Sequence, residues 1–302
     1  MSRLPAPILG SISMLMFVVN LTLWIIPIYI VAIIKLLVPV NSVRKLCFRI
    51  LEFCGESWIW CNRQMIKIHN IDFDIRGVEN LERKDWYLIG SNHQNWNDVF
   101  MLQVALNRRV PFPRFFLKKQ LIWVPLLGLA WWAFEMPFMK RHSREQIAAN
   151  PKLREDDLET TRIACEKLRQ KPSTVINFLE GTRFTQTKHA AQQSPYKYLL
   201  KPKAGGLAFT LAALGSQMQN YLDVTIVYPG KITFWDFMCG RMKKVIVKVQ
   251  HEILPDWIFN GDYLNDNAFR ERFQMWVNEK WQAKDAEIER LTTEMTAFTR
   301  TA

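Results

Sequence analysis

No charged residue occurs between Ile8 and Ile34, an apolar run of 27 positions. A helix needs roughly 20 such residues to cross a hydrocarbon core about 30 Å thick. A cleaved secretion signal has a shorter apolar stretch, about 7–15 residues, and a small-residue cleavage site. Here the run passes into Lys35-Leu36-Leu37-Val38-Pro39 without such a site. Residues 1–40 therefore read as an uncleaved membrane anchor. Pro27 lies inside it and lacks a backbone donor. The segment is either one kinked span or a helix–break–helix that enters one leaflet and returns. Arg3 alone precedes the run, whereas Lys35, Arg44, Lys45 and Arg49 follow it. That bias places the rest of the chain in the cytoplasm. A mean hydropathy of -0.08 excludes a polytopic membrane protein.

Residues 41–67 read as a basic amphipathic helix. Leu46, Ile50, Phe53, Cys54, Cys61 and Met65 recur at helical spacing, with Arg44, Lys45, Arg49, Arg63 and Lys67 around them and Trp58 and Trp60 among them. Such a helix lies along a membrane surface or covers a core; the sequence leaves both open. The five cysteines form no CxxC pair, which argues against a zinc site or a disulfide framework. Lys+Arg 40 against Asp+Glu 28 gives a net charge of +12. A chain this basic meets an anionic partner: lipid headgroups, a phosphorylated substrate or nucleic acid.

From residue 68 to 302 the pattern is that of an α/β domain. Ile71, Phe73 and Ile75 alternate with Asp72, Asp74 and Arg76 as in a half-buried strand. Apolar strands are expected at 86–89, 175–179, 224–227 and 245–249. Helices are expected at 99–106, 144–170 and 205–214, with a C-terminal amphipathic helix marked by Phe269, Phe273, Trp276 and Val277. Residues 184–200 read as a polar loop. Leu121 to Phe134 is uncharged over 14 positions, too short for an easy span; it is core or a face that dips into lipid.

There is no GxGxxG, GxxxxGK[ST], HExxH or GxSxG motif. Dinucleotide, P-loop, zinc-protease and serine-esterase chemistry are therefore not signalled. A histidine with a carboxylate five positions on can form a base and its orienter. Three pairs share that spacing: His69–Asp74, His93–Asp98 and His251–Asp256. The first falls in the alternating strand, where five steps put the side chains on opposite faces, about 16 Å apart. The third has no oxyanion or phosphate donor near it in sequence. His93–Asp98 sits where an apolar strand gives way to a helix, with Asn92 and Asn95 as turn formers. Ligands of open α/β sheets bind at such strand ends. A second strand ends in Glu180-Gly181-Thr182-Arg183. Gly181 allows close backbone approach, and the Arg183 fork suits phosphate. Phe138-Met139-Lys140-Arg141 adds two cations.

These blocks, taken in order, resemble the glycerolipid acyltransferase family of the lysophosphatidic acid acyltransferase type. Its signature is NHxxxxD, a Phe-rich block ending in Arg, FPEGTR, and an apolar strand ending at a Pro. Asn92, His93 and Asp98 match the first block, and Phe138 and Arg141 the second. Phe178, Glu180, Gly181, Thr182 and Arg183 match the third, with Leu179 where the family usually has Pro. Val227-Tyr228-Pro229 loosely matches the fourth. Phe184-Thr185, Lys188 and Leu200-Lys201-Pro202-Lys203 look like the branch containing lysocardiolipin and related lysophospholipid acyltransferases, and the length and anchor suit its bacterial inner-membrane members.

The resemblance implies a mixed central sheet flanked by helices, no bound cofactor or metal, and acyl-CoA or acyl-carrier protein as co-substrate. It implies transfer to the 2-hydroxyl of 1-acyl-glycerol-3-phosphate, with His93 as base oriented by Asp98. Arg183 and Arg141 would hold the phosphate, and Asn92, Glu180, Gly181 and Thr182 would line the acceptor. Another lysophospholipid or glycerol 3-phosphate remains open as acceptor. The rival from another class is a basic, membrane-tethered nucleic-acid binder, which the charge alone suggests.

Overall fold

The computed structural model describes residues 4–139, 150, 159–160, 162–163, 165–166 and 168–301. Lys140, Arg141 and most of the helix expected over 144–170 lie outside the described residues.

Strands β1 (Asp72–Arg76), β2 (Tyr87–Ser91), β3 (Pro113–Phe115), β6 (Thr174–Phe178), β7 (Asn220–Val227) and β8 (Lys244–Ile253) form one six-stranded sheet in the order β1-β8-β7-β2-β6-β3. A short parallel pair, β4 (Leu117–Lys118) and β5 (Phe138–Met139), stands apart from it. β7, β2, β6 and β3 run parallel; β8 is antiparallel to β7, and β1 is parallel to β8. The sheet is thus mixed, as expected.

Both faces of the sheet are covered. That is why β2 is buried at every position and reads as a continuous apolar run. Period-2 alternation divides the core. Tyr87, Ile89, Leu222, Val224, Ile226, Val245 and Val247 join the layer on one face. Leu88, Val175, Tyr221, Val227 and Ile246 join the layer on the other. The first face carries α1 (Ala6–Leu37), α2 (Asn41–Ile68), α3 (Asn97–Leu106) and α4 (Leu127–Ala133). The second carries α6 (Ala204–Leu214) and α8 (Asn267–Thr301). The expected polar loop at 184–200 contains a short helix, α5 (Gln186–Gln192), which Thr185 caps by accepting a hydrogen bond from Lys188 N. A Ser/Thr oxygen at that place satisfies an otherwise orphaned donor.

α1 runs through Pro27 as one helix. At about 1.5 Å per residue it is roughly 48 Å long. Both ends rest on the same body. Near the N-terminus Ser13 Oγ lies 3.0 Å from His69 Nε2, and Gly10 faces Cys239 and Trp235 of the segment around α7 (Phe234–Met238). Near the C-terminus Tyr29 donates to Leu126 O at 2.7 Å, and Lys35 pairs with Glu135 at 2.8 Å. Midway, Asn20 Nδ2 donates to Asn62 Oδ1 of α2 at 2.7 Å. The helix therefore lies along the domain instead of leading away from it. Its outer side exposes Leu15, Val19, Leu23, Ile26, Ile30 and Ile33.

α2 covers the core with a stripe that shares Cys54 and Met65 with the one noted in the sequence. Cys47, Leu51, Cys54, Ile59, Met65 and Ile66 are buried, while Leu46, Ile50 and Phe53 face outward beside the exposed side of α1. The helix is apolar on two sides, so periodicity alone does not choose between them. Leu121–Phe134 is divided in the same way. Ala130, Ala133 and Phe134 are buried; Trp123, Leu126 and Leu129 are exposed.

Partly buried ion pairs fasten α1 and α2 to the domain. Fully buried Arg114 donates to Phe134 O at 3.1 Å and meets Glu52 of α2 at 3.4 Å. Glu135 lies between Lys35 and Lys171, at 2.8 and 2.6 Å. Burial alone would raise the Glu135 carboxyl, but the two ammonium groups bring it down to about 2. Burial pushes Lys171 down to about 8. Breaking one partner of such a pair leaves an uncompensated charge.

Gly55 is the point of closest approach of α2 to this core. An added Cβ would lie 2.6 Å from the Phe112 ring and 3.0 Å from Phe134. Gly55→Val is expected to cost about 1–3 kcal/mol through overpacking. A lowered thermal midpoint of the detergent-purified protein would show it; an unchanged midpoint would rule out this docking.

Candidate active site

Three parallel strands, β6, β2 and β7, bring their C-terminal ends to one edge. β2 pairs Ser91 with Phe178 of β6 and with Val224 of β7, and β7 continues to Val227. The chain then leaves β2 at Asn92. Its side chain takes over the strand's pairing: Nδ2 donates to Ile226 O at 2.9 Å and Oδ1 accepts from Ile226 N at 2.9 Å. β2 cannot carry a side chain at Gly90, where a Cβ would lie 1.9 Å from the Tyr221 hydroxyl.

The next residues turn into α3. Asn95 Oδ1 accepts from Asn97 N at 2.7 Å, and Asn97 Nδ2 reaches Thr233 O at 3.3 Å. This turn folds His93 and Asp98 together, with His93 Nδ1 2.8 Å from Asp98 Oδ2. Asp98 Oδ2 also accepts from the backbone of Gln94 and from Asn95 N at 2.9 Å, and Oδ1 accepts from the Tyr228 hydroxyl at 2.8 Å. A carboxylate only accepts, so the shared proton sits on Nδ1 and Nε2 is left as the basic nitrogen. His93 is the accessible member at 16% side-chain exposure against 0% for Asp98. Its ring stacks on Phe178, 4.0 Å between centroids.

The other two pairs do not form. His69 ends α2 instead of lying in a strand, and it contacts Ser13; Asp74 in β1 takes Arg76. His251 lies on β8 with Nε2 2.9 Å from Asn220 Oδ1.

The Glu180–Arg183 turn stands beside His93. Gly181 has φ +66, the left-handed region that favours glycine, and a Cβ there would lie 2.8 Å from the Lys203 side chain. Arg183 lies over the Trp96 ring at 4.4 Å. Lys188 Nζ donates to Thr182 Oγ1 at 2.7 Å and to Arg183 O at 3.0 Å. Cationic side chains thus gather at the turn, and the Thr182 hydroxyl keeps its own hydrogen to donate.

Asn92 and Glu180 were expected against the acceptor, and the structure gives them another task. Both are buried and committed to the backbone. Glu180 Oε1 accepts from His93 N at 2.7 Å and Oε2 from Leu200 N at 3.0 Å. They set where His93 stands. Arg141 lies outside the described residues.

Tyr228, Phe178, Trp96 and Lys188 touch the expected site residues and were not assigned to the site from sequence. Tyr228 and Phe178 lie inside blocks already noted; their contacts join segments distant in the chain.

A family model described as Acyltransferase matches residues 72–229, just over half of the chain. Human 1-acyl-sn-glycerol-3-phosphate acyltransferase gamma is 32% identical over 123 residues, 37% of this chain and 30% of that protein. The human delta form is 30% identical over 181 residues, 56% of this chain and 43% of that one. The yeast (Saccharomyces cerevisiae) 2-acyl-1-lysophosphatidylinositol acyltransferase is 23% identical over 236 residues, 66% of this chain and 59% of that one. The chain thus spans about a third to three fifths of these relatives. The Thermotoga maritima 1-acyl-sn-glycerophosphate acyltransferase PlsC has a solved structure with TM-score 0.48, 18% identity, and coverage of 90% of this chain and 98% of that one.

Burial pushes the Glu180 carboxyl up to about 7, even though the His93 and Leu200 amides act to lower it. A carboxyl raised in the fold favours the protonated native state. Its contribution to stability is therefore lost as pH rises from about 4.5 through about 7. Glu180→Gln does not titrate there. Between pH 4.5 and pH 8 the variant is expected to gain on the order of 3 kcal/mol relative to wild type. Paired thermal melts at the two pH values read this difference; an equal gap at both would refute the burial of this charge.

Proposed function

The chain belongs to the acyltransferase family, and from that premise we propose that it moves a fatty acyl group from acyl-CoA or acyl-carrier protein to the 2-hydroxyl of 1-acyl-glycerol-3-phosphate, forming phosphatidic acid. The observation that carries this reading is the 2.8 Å contact between His93 Nδ1 and Asp98 Oδ2 at the end of β2. His93 Nε2 takes the proton of the acceptor hydroxyl. The oxygen attacks the thioester carbonyl, and the tetrahedral adduct collapses with loss of the thiolate, which recovers the proton from the imidazolium. Asp98 holds the tautomer and steadies the cation. Transfer is direct within one ternary complex, since no Ser or Cys stands beside His93 as a nucleophile among the contacts described. Arg183, with Lys188 close by and Arg141 as a further contributor, receives the acceptor phosphate.

The protein associates with membranes, and we assign it to the cytoplasmic face of the inner membrane. The exposed apolar side of α1, with Leu46, Ile50 and Phe53 of α2 and Trp123 and Leu126, enters one leaflet. The net charge of +12 then serves anionic lipid instead of nucleic acid, at roughly 1 kcal/mol per cation near the surface. A second acceptor class is favoured by the yeast relative, whose sequence match is longer than those of the two human forms: a lysophospholipid with a larger headgroup, such as lysophosphatidylinositol.

Detergent-purified protein given oleoyl-CoA and lysophosphatidate is expected to make phosphatidate. His93→Ala should lower kcat by about 10²–10⁴, the range for a general base. Tyr228→Phe should lower it by roughly tenfold, because Asp98 loses one of its restraints. Arg183→Ala should raise the acceptor KM. Undiminished product from His93→Ala would remove the base assignment. Lysophosphatidylinositol consumed in preference to lysophosphatidate would select the second acceptor.

A further inference from the structure

α8 reaches His93 through a series of hydrogen bonds that no motif announces. One turn apart on its face, Trp281, Asp285 and Glu289 all grip the irregular segment 197–200. The Trp281 indole, 1% exposed, donates to Leu200 O at 2.8 Å. The two oxygens of Asp285 accept from Lys197 N at 2.8 Å and Tyr198 N at 2.7 Å. Glu289 takes only the Lys197 side chain, at 2.6 Å. Between them Lys284, also buried, donates to Val224 O of β7 at 2.7 Å. The middle of α8 is thus fixed to the sheet and presents a rigid surface to the segment. Leu200 N then holds one oxygen of Glu180, and the other oxygen holds His93 N. Ser194 Oγ to Leu199 O and Lys201 N to Gln192 Oε1 are local bonds, and just beyond the segment Lys203 N donates to Leu179 O at 2.7 Å.

We propose that Trp281 and Asp285 are positioning residues for His93, acting through segment 197–200 and the Glu180 carboxylate. The inference rests on His93 being the base. The imidazole is held at its backbone by Glu180, so a shift of the Leu200 amide moves the base relative to the acceptor hydroxyl. A displacement near 1 Å at a reacting centre can cost on the order of 10²-fold in rate.

The test uses the full chain in detergent, with Asp285→Ala and Trp281→Phe alone and combined with Glu180→Gln, and Glu289→Ala as control. Asp285→Ala is expected to lower kcat by roughly tenfold or more, with KM for donor and acceptor within about twofold of wild type. In the Glu180→Gln background the same change should cost less than about twofold further, because residues acting through one contact are not additive. Peptides covering 91–98, not only those covering 194–203, should exchange amide hydrogen faster in Asp285→Ala. Glu289→Ala should leave kcat and exchange over 91–98 unchanged. Multiplying losses, or faster exchange confined to 194–203, would overturn the proposal. If Asp285→Ala does not fold, Asp285→Asn, which keeps the size and one acceptor, is read by the same cycle. Exchange is measured without substrate, so a wild type that transfers no acyl group would strike the proposed function and leave the positioning relay to be judged by exchange.

Discussion

The Glu180 carboxylate joins three parts of the chain that share no secondary structure: the end of β6, the turn after β2, and the segment that α8 holds. One of its oxygens fixes the backbone of His93 and the other fixes Leu200. Buried amide donors need a partner, and a charged acceptor makes the stronger bond. The same burial makes the charge costly, which raises its pKa to about 7. The site keeps this cost because no neutral side chain offers two equivalent acceptor oxygens to two donors facing each other across a buried gap.

Asn92 does for β7 what Glu180 does for the loop. Its amide imitates a peptide unit and carries the sheet's hydrogen bonding one residue beyond the point where the chain has turned away. His93 can then point out of a strand end whose backbone is still anchored on both sides. Asp98 is fixed from three directions: the turn amides, Tyr228 at the end of β7, and His93 itself. The accessible imidazole thus stands on a nearly inaccessible frame, which is what a base needs if its proton acceptor is to stay aligned.

The helical pair α1 and α2 follows a different logic. α1 and α2 bring apolar residues to the core and to the outside at once, so the pair roofs the domain and leaves a second apolar side exposed. Its attachment is polar where the helices meet the domain, Lys35 with Glu135 and Glu52 with Arg114, and where they meet each other, Ser13 with His69. An apolar face slides easily. A partly buried polar pair with one geometry does not, and the attachments at both ends of α1 hold it along the body. The exposed apolar side and the strand-end site therefore belong to one packed body.

The sequence was legible wherever the information is local. An uncharged run of 27 residues announces a long apolar helix by length alone. Alternation placed β1, and the strand–turn–helix context singled out His93–Asp98 from three pairs with the same spacing. A five-residue separation at a helix start folds two side chains together without help from the rest of the chain. The family blocks added Glu180, Thr182 and Arg183 as one turn. Other properties had no local signal. Which side of α2 meets the core depended on what packs against it. Whether α1 leaves the domain or lies along it depended on contacts at Leu126 and Glu135, about a hundred positions away. Asn92 and Glu180 looked like substrate contacts until burial showed both turned toward the backbone. Tyr228, Trp281 and Asp285 enter the site's framework through bonds spanning 81 to 130 positions. Spacing along the chain determined which residues could act together in one turn. Only packing, which sets burial and brings distant backbone amides within bonding distance, decided which of them stay accessible and which hold the others in place.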